Sequence, residues 1–217
     1  MKTVHGNSIT VPGADVSSYQ PNINWQILKA AGIGFVFLKC TEGLTVKDST
    51  FQKFSLLCAQ NGINHGAYHF FHPKYDGVAQ AKFFIDTIGG SLAGDMPCVM
   101  DWETADNVPA NHDVAQGLAF LSYVKQVTGK TPIVYGGPYF LNALGLPQTI
   151  KQNPLWIAHY GVSSPMIPDA WDTWHFWQYS DAQPVAGVSG KCDADKFNGT
   201  SSDLALYIKS TTSKQGV

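Results

Sequence analysis

The apolar run Met96-Pro97-Cys98-Val99-Met100 leads directly into Asp101-Trp102-Glu103, and Glu103 is one of only two glutamates in the chain, the other being Glu42. In an extended segment alternate side chains share a face, so Asp101 and Glu103 point the same way, about 6.6 Å apart along the strand. Two carboxylates so placed at the end of a buried strand suit acid-assisted cleavage of a glycosidic bond, in which one protonates the leaving oxygen and the other assists at the sugar carbon. The same residue types also serve a plainer purpose, a helix N-cap with a glutamate in the first turn.

Such a pair needs a rigid frame. Apolar runs bounded by turn residues predict strands at 14–19, 35–41, 65–71, 97–103, 132–136, 155–160, 175–180 and 192–197. Helical patterns fall at 25–31, 49–61, 78–88, 114–128 and 139–144, with Gly32, Gly62, Gly89 and Gly129 closing the first four. Asn111 or His112 is expected to open the longest helix, with Asp113 near its positive end. Strands alternating with helices imply parallel pairing and a β/α barrel. From Leu155 onward the connections are too short, or too rich in Pro, Gly and Asp, for full helices. The expected fold is therefore α/β: a single-domain, irregular (β/α) barrel, TIM-barrel-like, with incomplete helices in its C-terminal part. No glycine-rich phosphate loop follows the first strand to favour a doubly wound sheet. Residues 12–209 are read as the domain, with 1–11 and 210–217 as tails.

In such a barrel the chemistry gathers where strands end, because the strand-to-helix loops form one open face. Asp101 and Glu103 close the fourth strand. The eighth carries a second same-face pair, Asp193 and Asp195, and in a closed barrel it adjoins the first strand, which carries Asp15. Carboxylates crowded round one mouth raise each other's pKa values, which keeps a glutamic acid protonated near neutral pH. Tyr68, Tyr135, Trp156, Tyr160 and Tyr179 lie late in their strands, where rings can stack on sugar faces or simply fill the core. Gln178 is suited to holding a hydroxyl or an acetamido group.

Other chemistries are disfavoured. All fourteen cations are Lys and the formal net charge is −2, so the chain has no guanidinium readout and no basic footprint, and no nucleic-acid partner is expected. His65, His69 and His72 cluster, but without the glutamate of a zinc-helix motif and on a strand rather than a helix, so no metal site and no cofactor are expected. Ser17 and Ser18 lack a nucleophile elbow. Cys40, Cys58, Cys98 and Cys192 form no paired motif and read as buried thiols. The N-terminus has no apolar signal core, and no apolar run approaches a membrane span, so neither a signal peptide nor membrane insertion is expected.

These motifs, taken in order, resemble the family 25 glycoside hydrolases, lysozymes (N-acetylmuramidases) often found as bacteriophage endolysins. The resemblance runs through Gly13-Ala14-Asp15-Val16-Ser17 with Trp25 following, Phe35 to Gly43, Gly66-Ala67-Tyr68-His69-Phe70 and Asp101-Trp102-Glu103. It continues in Leu155 to Tyr160, Trp177-Gln178-Tyr179-Ser180 and Asp193 to Phe197. It implies hydrolysis of the β-1,4 bond between N-acetylmuramic acid and N-acetylglucosamine in peptidoglycan glycan strands, by a monomer. Glu103 matches the general acid and Asp101 its partner, as nucleophile or as stabiliser of substrate-assisted attack. Asp15 and Asp193 match the other two acidic positions, and Tyr68, Tyr135, Trp156, Tyr160, Gln178 and Asp195 are the expected substrate-binding residues. A phage lysin accumulating in the host cytoplasm, or a secreted enzyme lacking its signal, fits the N-terminus. Cys40 and Cys192 stand where the family more often has Ala and Val. A catalytically silent peptidoglycan-binding module is the alternative from another class. A metal-dependent amidase or peptidase is a third.

Overall fold

Eight strands close into a ring in a computed structural model that describes residues 1–7, 9–89 and 94–212. In chain order the strands are β1 (Lys2–Thr3), β2 (Val11–Val16), β3 (Phe35–Glu42), β4 (Val46–Lys47), β5 (Asn64–Phe70), β6 (Val99–Asp101), β7 (Ile133–Gly136), β8 (Leu155–Ala158), β9 (Met166–Ile167), β10 (Phe176–Pro184) and β11 (Lys191–Phe197). The helices are α1 (Trp25–Ala30), α2 (Phe51–Gln60), α3 (Gly77–Ile88), α4 (Ala110–Thr128), α5 (Pro138–Ala143) and α6 (Ser201–Thr212), with a 3-10 turn at Gln148–Gln152. The barrel runs β2-β3-β5-β6-β7-β8-β10-β11 and back to β2.

Helix limits follow from local chemistry. The Asn24 side chain accepts the Ile27 amide and Asp76 accepts the Ala79 amide, each an N-cap. Gly89 and Gly129 end α3 and α4 with φ of 57° and 70°, a conformation that costs glycine little.

Neighbours from β2 round to β10 are parallel, as expected, but β11 runs antiparallel to both β10 and β2. The reason lies in chain length: six residues separate β10 from β11, enough for a hairpin and too few for a parallel crossover. Asp193 therefore sits near the start of its strand, and the reversal brings it to the open face directly across from Asp15.

Inside the barrel Phe37 lies 4.5 Å from Trp156 and 5.3 Å from Phe176, ring to ring. Leu204 of α6 closes the end opposite the mouth, with Val11 and Phe197. A second core fills the space between strands and helices, with Leu28, Phe54, Phe84, Phe120 and Val124 all buried.

Three features depart from the sequence reading. α6 was not expected, although Thr200 and Asp203 form a reciprocal capping box: Asp203 Oδ2 accepts the Thr200 amide and Thr200 Oγ1 accepts the Asp203 amide. The longest helix begins at Ala110, just ahead of the expected start, while Asp113 lies in its first turn as expected, its side chain buried and accepting from the Trp102 indole. Residues near the N-terminus are not a loose tail, for β1 pairs with β9 and Val4 exchanges hydrogen bonds with Pro165 and Trp174.

Candidate active site

The strand ends surround a cavity of about 280 Å³ lined by Asp15, Tyr68, Asp101, Glu103, Tyr135, Trp156, Tyr160, Gln178 and Asp193. Asp101 ends β6 with its side chain almost wholly buried, and its Oδ1 has no hydrogen-bond partner among the described residues. Glu103 lies two residues past the strand end and reaches the rim. Trp102 between them turns to the other face, as alternation requires. Its indole Nε1 donates to Asp113 Oδ1 at 2.7 Å, and its ring packs on Gly117, where a Cβ would stand 2.5 Å away. The acidic tip is thus clamped from behind by α4.

Asp15 is set by Gln178, whose Nε2 donates to Asp15 Oδ2 at 2.6 Å. The Gln178 Oε1 accepts from both the Tyr135 and Tyr160 hydroxyls. Both lone pairs of that amide oxygen are therefore taken by tyrosines. Of the four hydrogen-bonding positions on the Gln178 amide the tyrosines take two and Asp15 takes one, so this cavity-lining side chain also ties Asp15 to Tyr135 and Tyr160.

The carboxyls hold their protons unusually well. Burial, then the neighbouring charges of Asp195 and Asp193, pushes Asp15 well above the usual carboxylate range, partly offset by the Gln178 hydrogen bond. Burial and the adjacent Glu103 do the same to Asp101, against the pull of Lys39. Glu103 is exposed as a residue, yet desolvation of its carboxyl end raises its pKa, with Lys39 lowering it and Asp193 adding to the rise. Asp193 is pushed up to about 6, chiefly by burial.

Nine of the ten expected site residues line one cavity. The exception is Asp195, which is fully buried behind the wall, where it accepts the Trp156 indole N–H at 2.8 Å. Alternation put it on the correct face, but one step too deep. Trp156 and Tyr135 are also nearly buried, which leaves Tyr160, 41% exposed, as the expected ring best placed to meet a sugar.

Sequence reasoning missed Ser17, Tyr19, Gln20, Lys39 and Phe70, which also line the cavity. For Lys39 a signal existed: it is a lone cation within the apolar run of β3, on the inward alternation of Phe35 and Phe37. Tyr19 gave none, since it sits on a turn after β2. The histidines are committed elsewhere: His65 to Ser55, His69 to Thr41 and Gln80, and His72 to Glu42 and Asp106. All four cysteines are buried and free.

An acid-lined cleft at the open end of a β/α barrel is the layout of a glycoside hydrolase. Residues 14–188 match the model of glycosyl hydrolases family 25. The chain is 34% identical over 212 residues to Lysozyme M1 of Streptomyces globisporus, covering 93% of this chain and 72% of that protein. It is 35% identical over 206 residues to the uncharacterized protein YegX of Escherichia coli K12, covering 93% and 74%. The crystal structure of the bacterial lysozyme from Streptomyces coelicolor superposes with a TM-score of 0.87 at 32% identity, covering 94% of this chain and 100% of that one. The chain belongs to family 25 of the glycosyl hydrolases.

Proposed function

We propose that Glu103 is the general acid of a lysozyme that cleaves the β-1,4 bond from N-acetylmuramic acid to N-acetylglucosamine in peptidoglycan, with Asp101 assisting at the anomeric carbon. The observation that carries this reading is the burial of Asp101, one oxygen unpartnered among the described residues, at the strand end beside a rim glutamate whose environment favours the protonated form. Glu103 hands its proton to the leaving oxygen. Asp101, beneath it, stabilises the positive charge that develops at the sugar carbon or bonds to that carbon. Asp15 and Asp193, facing each other across the β2–β11 seam, orient the substrate and keep the mouth acidic. Tyr68 and Tyr160 supply ring faces for the sugars.

The test is mass analysis of fragments released from purified peptidoglycan, with the new reducing sugar identified. Glu103→Gln is expected to keep the fold and to lose activity by about 10²–10⁴-fold. Near-normal turnover by that variant would sink the assignment, and a wild-type protein that binds walls without releasing reducing ends would mark a silent binding module.

The finer reading is a monomer that works at the bacterial wall and is delivered as a phage lysin. Among the described residues no helix is long and apolar enough to cross a membrane. Expression in a bacterial cytoplasm should then leave growth intact until the membrane is permeabilised, and lysis without permeabilisation would overturn it.

A further inference from the structure

Lys39 is the only cation among the described residues that line the cavity, and it bears on both Asp101 and Glu103. Its side chain is largely buried, over the Phe70 ring, and its Nζ lies 2.7 Å from Glu42 Oε2. The other Glu42 oxygen is 3.3 Å from His72 Nε2, and His72 Nδ1 is 2.8 Å from Asp106 Oδ2. Asp106 belongs to the loop that begins at Glu103 and has a left-handed backbone, φ 45°. The chain of contacts therefore leaves the cavity at Lys39, passes through Glu42 and His72, and returns to the segment carrying the acid.

We propose that Glu42, held by His72, is a positioning residue that partly neutralises Lys39 and so sets the pH above which Glu103 gives up its proton. This rests on the reading of Glu103 as the general acid. An ammonium near a carboxyl favours its ionised form, so Lys39 alone would strip Glu103 of its proton at lower pH. A carboxylate in contact with that ammonium draws the charge back. The other groups facing Glu103 are Asp101 from β6, Asp193 from β11, Tyr135 from β7 and Tyr160 beyond β8. On the β5 side, His69 and His72 face Lys39 and Glu42. None of these side chains is replaced in the variants below, although Asp101 also responds to Lys39 and Glu42, in the same sense as Glu103 responds to Lys39.

The experiment is the pH profile of kcat/KM on solubilised glycan strands, because its basic limb reports the acid of the free enzyme. Glu42→Gln, nearly isosteric and at a partly exposed position, should move that limb down by about half to one pH unit, and Lys39→Met should move it up by a similar amount. Lys39→Arg keeps the charge and should leave the limb in place. A uniform loss of rate in Glu42→Gln with an unmoved limb would make the pair a mere strut and overturn the proposal. A rise in KM at every pH for Lys39→Met, again without a limb shift, would assign Lys39 to the polymer's own carboxylates and overturn it equally. Glu103→Gln run alongside separates the two readings. If it stays active the acid assignment fails, whereas an inactive Glu103→Gln with unmoved limbs defeats only the role of Glu42.

Discussion

Asp193 shows how function is held at a cost in stability. Burial pushes its carboxyl up from the ordinary 3.8 to about 6, so between those values the native state binds the proton that the unfolded state has lost. Folding stability from this group is therefore full below about pH 4 and falls as pH rises towards 6, after which the deficit is constant. Asn cannot ionise. Asp193→Asn should accordingly melt higher than wild type at pH 7, with a Tm difference that opens between pH 4 and 6 and with lysis reduced. Thermal melts across that range check the sign, and a difference that shrinks with rising pH would refute it. Asp101 and Glu103 were recognisable from the sequence because Glu is rare and alternation fixes their face. The depth of a side chain is another matter. Nothing in the spacing of Asp193 and Asp195 says that the second meets the Trp156 indole within the wall while the first reaches the cavity.

The tip Asp101-Trp102-Glu103 depends on α4 as much as on β6. Gly117 lies where any side chain would drive the Trp102 ring off its seat. Gly117→Ala should cost about 1–3 kcal/mol through overpacking and should lower turnover too, because Trp102 joins the two acids in the chain. Urea unfolding and kcat measured on the same variant check both effects. The helices α1 to α5 and the strands of the barrel were readable because their apolar spacing is local. The direction of β11 was not, since strand sense is decided by the length of a connection, and here the hairpin after β10 overrides the expected parallel order. α6 could have been found from Thr200-x-x-Asp203 and from Leu204, Tyr207 and Ile208 at helical spacing.

The whole molecule is secured from both termini. Leu204→Ala should open a hole where α6 plugs the barrel and cost about 2–5 kcal/mol without touching the mouth, so stability falls while kcat of the folded protein holds. Removing residues 1–7 deletes the pairing with β9 and the hydrogen bonds of Val4 to Pro165 and Trp174. That truncation should cost about 1–3 kcal/mol, and at this size each kcal/mol is about 2–4 °C in Tm by calorimetry.

Because the final strand runs backwards, the polypeptide finishes its barrel at the plugged end and α6 lies on the side away from the cleft. A module joined after α6, whether a wall-targeting domain or a surface tether, would hang behind the catalytic head and leave the mouth clear to travel along a polymer. A fully parallel eighth strand would have brought the chain out beside the substrate. The hairpin that reverses β11 thus supplies Asp193 to the cleft and also carries the chain on to α6 at the plugged end of the barrel.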